Sequence, residues 1–378
     1  MFSFKPPVES EAAEILRQEV RAFLATELAG RPARQRAESW NAVDLEFSAK
    51  LGRRGWIGMT WPRRYGGQER SSIERYVVIE ELLAAGAPVG AHWIADRQSG
   101  PLLLKYGTEA QRSAILPKIA AGECFFCIGM SEPNSGSDLA SVRTRARPVD
   151  GGFVVNGSKL WTTNAHLAHY MILFCRTADG ERQAGTSQLL VDLKTPGITI
   201  NPVENIAGDR HFNVVHFNDV FLPESCVIGE AGQGWEQVMS ELAYERSGPE
   251  RFLSTFPLLV EAVRELGAAP GDTAAAAIGR ITAHIAVLRH LSRSVAFMLQ
   301  EGENPSLQAS VVKDLGTSLE QAIPEIVREI MPVQPSLRAS SELPAALATS
   351  LLNAPSFSLR GGTREILRGI IARGLGLR

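Results

Sequence analysis

The sequence predicts an α+β chain of several domains, in which a helical block, a strand block and a second helical block follow one another. Three observations predict it. Over residues 10–125, apolar side chains recur at helical spacing. Near residue 126 the pattern changes to β-branched and aromatic runs parted by Gly, Asn, Asp and Pro, the mark of antiparallel strands and hairpins. From "GQGWEQVMSELAYERSGPERF" onward the helical pattern returns. Strands gathered in one block, without alternating helices, argue against a Rossmann or TIM architecture and for a small sheet domain or barrel. The 378 residues, 44% hydrophobic and 21% charged, suit a globular chain with two or three domains. The changes of pattern set those at 1–125, 126–235 and 236–378.

Each block is built from recognisable elements. "EAAEILRQEVRAFLATEL" is an amphipathic helix. "WPRRYGG" (Trp61 to Gly67) is a loop punctuated by Pro and Gly. "SSIERYVVIEELLAAG" is a helix with Ser71 or Ser72 as its cap, and "YGTEAQRSAILPKIAAGE" reads as turn, helix and stop. Five runs then read as strands: "GGFVVNGSKLWTTNA", "HYMILFCRTA", "TSQLLVDLK", "GITINPV" and "FNVVHFNDVFLP". The last block holds two long helical patterns, "DTAAAAIGRITAHIAVLRHLSRSVAFMLQ" and "NPSLQASVVKDLGTSLEQAIPEIVREIM".

Charge excludes some classes of partner. The net charge is -2 with both signs interspersed, so nucleic acid is not expected. No apolar run is long enough for a bilayer, and the acid-rich N-terminus lacks the apolar stretch of a secretory signal, so a cytoplasmic location is expected. The "CFFC" pair, Cys124 and Cys127, has no second pair or nearby histidine to complete a zinc site and reads as two thiols in an apolar segment. His166 and His169, three apart, lack a third ligand and read as structural, as do His211 and His216. No metal is expected.

Four stretches could carry chemistry. "GMSEPNSGSDLASV" (Gly129 to Val142) joins Ser131, Gly136, Ser137 and Asp138; such small residues let backbone N–H groups approach a polar ligand, though a surface turn has the same composition. It fits neither a Walker loop nor GxGxxG. In "GSKLWTTNA", Trp161 and Thr163 would share one face of a strand, where an indole beside a hydroxyl suits a flat heterocycle or simply a core. In "SELAYERSGPERF", Glu241 and Glu245 share a helical face, and Glu245 lies among Leu242, Ala243 and Tyr244, where an acid gains base strength near neutral pH; a solvated helix surface is the competing reading. "SLRGGTREILRGIIARG" (Ser358 to Gly374) is a glycine-threonine turn opening a helix, with no acid in Arg360-Gly361-Gly362-Thr363.

Taken together and in this order, these pieces resemble the acyl-CoA dehydrogenase family of flavoenzymes. The resemblance rests on "GWIGMTWPRRYGG", "YGTEAQRSAILPKIAAGE", "SEPNSGSDLASVRTRA", "NGSKLWTTNA", "VHFNDVFLPESCVIGEAGQGW" and "GGTREILRGIIAR". It implies an N-terminal helical domain, a middle β-barrel domain and a C-terminal four-helix domain, with FAD between the last two. It implies oxidation of an acyl-CoA thioester to the 2,3-enoyl-CoA in lipid metabolism, with loss of the α-proton to a glutamate and of the β-hydride to flavin N5. An electron-transfer flavoprotein would take the electrons. By position, Ser131, Gly136, Ser137, Trp161, Thr163, Thr363 and Glu365 fall where the family contacts its cofactor, and Ser137 also falls near the CoA moiety. Many members carry the base directly before the Gly-Thr of the last turn, where this chain has Gly361. A second group carries it on an earlier helix, directly before an arginine. Glu245-Arg246 matches that group, which implies Glu245 as base, Arg246 beside the substrate, and the Gly361 N–H polarising the thioester carbonyl.

Two segments depart from the family pattern. The neighbouring subunit usually offers FAD an Arg-x-x-Phe-Gly segment and a Gln- and Gly-rich loop. Here those regions read "RELGAAPGDTAAAA" and "MPVQPSLRASSELPAAL". Either a homotetramer with altered contacts or a heterotetramer with a related subunit follows. Two other functions stay open: a flavin monooxygenase or nitroalkane-oxidase-like enzyme of the same fold, and a non-catalytic subunit of a heteromeric dehydrogenase. The acyl group is not specified, although Gly361 and a helix-borne base leave room for branched, long or polycyclic chains.

Overall fold

The computed structural model describes residues 2–6 and 10–377; the side chains of Ser39 and of residues 241–245 lie outside that description. In chain order the elements are α1 Glu11–Glu27, α2 Ala33–Glu38, α3 Leu45–Arg53, α4 Ser72–Ala84, α5 Gly100–Tyr106, α6 Glu109–Ala120, β1 Phe126–Gly129, β2 Arg145–Val149, β3 Gly152–Lys159, β4 Tyr170–Arg176, β5 Thr186–Asp192, β6 Ile198–Val203, β7 Phe212–Pro223, α7 Gly234–Glu245, α8 Phe256–Leu266, α9 Asp272–Gln300, α10 Ser306–Ile330, α11 Glu342–Phe357 and α12 Arg364–Gly374. Helices, then strands, then helices is the predicted order.

Helix starts follow their caps. Ser71, in extended backbone, accepts the Glu74 N–H while the Glu74 carboxylate accepts the Ser71 N–H. Thr108 and Gln111 repeat the box at α6. Each box satisfies two N–H groups that a helix start leaves without partners.

The chain forms two compact units that do not follow its linear order: Met1–Val43 with Arg70–Gly90 and Ala243–Arg378, and Asp44–Glu69 with Ala91–Leu242. The first unit is helical. Buried Arg17 on α1 donates to Glu80 of α4 at 2.8 Å and also bonds Glu81, while Arg289 of α9 reaches the same Glu80 at 2.7 Å. Side-chain chemistry at long sequence separation therefore ties N-terminal helices to the C-terminal bundle.

The second unit holds the sheet, with strand order β1-β4-β2-β3-β7-β6 and β5 on the other edge of β4. Its core includes Cys127, Val155, Met171, Leu173, Cys175, Leu189, Val191, Val215 and Val220. The opposite face of β4 is also covered, because Phe174 packs with Val142 and Val238 beneath Trp235 of α7. Burial on both faces explains why "YMILFCR" reads as a continuous apolar run rather than an alternation. One edge of β4 is shared. β1 pairs with Tyr170 to Leu173, and β2 meets it only at Arg176. The interval between them lets residues 130–144 leave the sheet as a loop.

Candidate functional site

In the sheet unit, a buried ion pair shapes that loop. Lys159, fully buried at the end of β3, donates to Met130 O at 3.0 Å and to Glu132 Oε1 at 2.8 Å. The Glu132 carboxylate also accepts the N–H groups of Arg143 and Thr144, at 2.7 and 2.9 Å. Burial alone would lift the Glu132 carboxyl; Lys159 and these donors outweigh it and hold the group below the usual carboxylate range. At Lys159 burial dominates and draws the ammonium below its usual value. The two shifts pull opposite ways, because Glu132 has several donors whereas Lys159 has one carboxylate to offset a complete loss of solvent; the 2.8 Å contact supports the charged pair.

The pair brings two of the motifs together. Leu160 donates to Ser131 O at 2.9 Å, so half-buried Ser131 lies beside the residue preceding Trp161. Glu132 and Ser135 exchange backbone hydrogen bonds at 2.8 and 3.1 Å, closing a tight turn before the exposed Gly136 and Ser137.

Trp161 and Thr163 do not share a strand face, contrary to the expectation from alternation. β3 ends at Lys159, and Trp161 takes a left-handed φ of 61°. The indole is thereby turned out, 55% exposed, with its edge against Phe212 at 5.8 Å. The strained position is held from both sides of Trp161. Leu160 is bonded to Ser131, and Thr162 exchanges hydrogen bonds with Asn213, N–H to carbonyl at 3.0 Å and carbonyl from Nδ2 at 3.0 Å. Thr163 stands half-buried in the turn that follows. Thr162, which strand alternation passed over, has a buried Oγ1 without a partner among the described residues.

In the helical unit, the last turn is held by three cations. Gly361 and Gly362 have φ of 66° and 95°, a conformation that glycine adopts without steric cost. Arg246 Nε donates to Gly361 O at 3.2 Å, and Lys313 Nζ donates to Gly362 O at 2.7 Å. Arg360 stacks between Trp40 and Phe357, at 4.2 and 4.6 Å, and donates to Glu250 O, Ser254 Oγ and Glu320 Oε2. Thr363 caps α12. Glu365 is exposed, and hydrogen bonds from its own N–H and from Thr363 hold its carboxyl below the usual range. Glu245 is the last residue of α7; its side chain lies outside the described residues, as does that of Glu241.

Lys313, Glu320, Lys159 and Glu132 were not singled out from the sequence. Isolated charged residues normally read as solvated, and only long-range packing shows that these four are buried.

The remaining candidates serve packing. His169 Nδ1 accepts the Phe125 N–H at 3.1 Å, and His166 bonds Asn213. All four cysteines are buried free thiols, and burial pushes Cys124 up to about 11. Among the described residues no group of His, Cys, Asp or Glu could hold a metal, and no helix is long and apolar enough to cross a membrane. A cavity of about 870 Å³ lies among α1, α4, α8 and α9, but none of the candidate residues lines it. Its Arg17, Arg21 and Arg289 are paired with Glu80 and Glu81.

Residues 10–123 match the family model for the acyl-CoA dehydrogenase N-terminal domain, and residues 127–220 match that for the acyl-CoA dehydrogenase middle domain. Acyl-CoA dehydrogenase FadE26 of Mycobacterium tuberculosis is 31% identical over 95% of this chain and 95% of its own length. The chain belongs to the acyl-CoA dehydrogenase family. The Tcur3481-Tcur3483 steroid ACAD has a TM-score of 0.87 at 28% identity, covering 98% of this chain and 99% of its own. The ChsE4-ChsE5 complex from Mycobacterium tuberculosis has a TM-score of 0.85 at 31% identity, again over 98% and 99%.

An acyl-CoA dehydrogenase uses FAD, and the sheet unit of this chain fits a flavin. The out-turned Trp161 offers a flat apolar surface, and the unpartnered Thr162 Oγ1 offers a polar group. A Cβ added at Gly136 would meet nothing within 4 Å, so the loop tip is open to a ligand.

The Glu132–Lys159 pair should matter for this frame. Lys159→Met leaves a buried carboxylate unpaired and is expected to cost about 3–5 kcal/mol, read from urea unfolding. In the parent protein Glu132 contributes stability above its unfolded value, about pH 4.3. That contribution is lost as pH falls through the lower folded value. An unchanged urea midpoint in Lys159→Met would contradict this account.

Proposed function

We propose that this acyl-CoA dehydrogenase removes the α-proton and β-hydride of a CoA thioester with a bulky, polycyclic acyl group, using Glu245 as base. The observation that carries the proposal is the Arg246 to Gly361 hydrogen bond, 3.2 Å long. It joins the residue next to Glu245 to the acid-free turn, although they are 115 positions apart. Gly361 supplies an N–H to polarise the thioester carbonyl, which acidifies the α-carbon. Arg246 holds the turn and, together with Ser137, binds the thioester. Ser131, Gly136, Ser137, Trp161, Thr163, Thr363 and Glu365 would hold FAD, which supplies the two-electron acceptor when bound. An electron-transfer flavoprotein then reoxidises the enzyme in the cytoplasm.

The acyl class is inferred from two supports. A relative of this fold is named a steroid ACAD. Glycine at 361 leaves the turn without side-chain bulk at the reacting carbon. The assembly is inferred as a heterotetramer with a related subunit, because the two segments that usually serve FAD in trans depart from pattern and two relatives are named as two-component assemblies. Domain limits at 125/126 and 235/236 belong to the same reading, supported by β1 opening at Phe126 and α7 at Gly234.

The test begins with the visible spectrum of the purified chain. Colourless protein that gains flavin bands on co-expression with a related subunit is the expected result. Anaerobic addition of a steroid side-chain CoA ester should then bleach the bands faster than a straight-chain ester. Full flavin in the chain alone would overturn the heteromeric assembly, and equal bleaching by both esters would overturn the acyl class.

A further inference from the structure

We infer that Lys313 is a positioning residue for the reaction, acting through the turn at Gly361 to Thr363. The inference rests on the proposed role of that turn and adds a residue that no sequence motif marks. In a trans peptide the C=O and the following N–H point in opposite directions. A group that fixes a carbonyl therefore fixes the next residue's N–H. Arg246, on Gly361 O, sets the Gly362 N–H; Lys313, on Gly362 O at 2.7 Å, sets the Thr363 N–H. The peptide planes on both sides of Gly362 are thus held by cations.

Such holding is needed here. Two consecutive glycines at positive φ have wide conformational freedom. Among the described residues, the N–H groups of Gly361, Gly362 and Thr363 donate to no atom of the chain. Without the cations, little would prevent either peptide from flipping. The N–H assigned to the thioester is that of Gly361; a flip of the Gly361–Gly362 peptide, or of the Gly362–Thr363 peptide that braces it, would swing a carbonyl oxygen beside that N–H and oppose enolisation. Lys313 suits the task because it projects from α10, a 25-residue helix, and is fully buried. A buried ammonium holds its acceptor more firmly than one in water, where solvent competes for the same proton. Asp314, the next residue on α10, pairs with Arg364 of α12 at 3.0 Å and fixes the helix that the turn opens.

The test separates enolisation from oxidation. 3,3-Dimethylbutanoyl-CoA has α-hydrogens and no β-hydrogen, so the enzyme can exchange its α-hydrogen with D2O but cannot oxidise it. Mass spectrometry reads the exchange in the holoenzyme. Lys313→Met is expected to slow this exchange, and kcat with an oxidisable ester, by about 10- to 100-fold, the scale for misplaced catalytic groups. KM and flavin content should stay near parental values. A purely structural lysine would instead lower the melting temperature and leave exchange per bound flavin unchanged, which would overturn the inference. Lys313→Gln, too short to reach Gly362 O, is measured by the same criterion and decides the matter should the Met variant not retain flavin. Glu245→Gln is run beside them. If it still exchanges, the base assignment falls; if it is silent while both Lys313 variants exchange normally, only the positioning role falls.

Discussion

Glu245→Gln is expected to lower turnover by about 10²- to 10⁴-fold, the range for removing a general base, while flavin content stays at the parental level. The turn Arg360-Gly361-Gly362-Thr363 contains no acid to take over the role. Gln keeps the size of the side chain and a carbonyl oxygen, so packing at the end of α7 should change little. Anaerobic mixing with substrate, followed at the flavin bands, measures the step directly. A variant that bleaches at near-parental rate would move the base elsewhere and favour the monooxygenase-like or nitroalkane-oxidase-like alternatives. A parental enzyme that binds the ester without bleaching would favour the non-catalytic subunit.

The second large effect is on stability. Arg360→Met should cost about 3–5 kcal/mol in urea unfolding, because it strips a fully buried carboxylate of its guanidinium. Glu320 has no side-chain exposure, and Arg360 meets it at 3.1 Å. Burial lifts the Glu320 carboxyl above its usual value, while Arg360, Ser254 and Arg251 pull it back. With Arg360 gone, burial is less opposed and the carboxyl rises further. The sign follows from proton binding. A raised folded value means that the folded state holds the proton more tightly, so this group's contribution is complete below the unfolded value of about 4.3 and is lost as pH rises through the folded one. Arg360→Met should therefore recover stability on acidification from neutral pH, and Glu320→Gln in the same background should recover part of the loss at neutral pH. A loss independent of pH and of Glu320 would assign the effect to lost stacking on Trp40 and Phe357 instead.

Much of the frame was legible because its signals are local. The capping serines and threonines, the Pro/Gly loop at Trp61 to Gly67 and the five strand-like runs each act over a few residues. Local signals do not specify the backbone at "GSKLWTTNA". Strand alternation runs four residues too far, to Thr163, because nothing local announces that Trp161 will adopt positive φ. Hydrogen bonds from Leu160 to Ser131 and from Thr162 to Asn213 hold it there, and both reach across the fold. The same stretch hid Lys159. A lysine after a strand serine reads as solvent-facing, yet it is the buried partner of Glu132.

By itself the sequence determined the α–β–α order, the ordered motifs that mark an acyl-CoA dehydrogenase, and the lack of an acid in the last turn. Those properties depend on residue type and short spacing, which the chain carries at every stage of folding. Tertiary structure alone decided which charges are buried and what they hold: Lys159 on Glu132, Arg246 and Lys313 on successive carbonyls of a glycine pair, and Arg360 on Glu320. It also drew the N-terminal helices and the C-terminal bundle into one compact unit. The physical reason is common to all of these. A charge is costly to bury unless a partner meets it, and the partners come from distant parts of the chain.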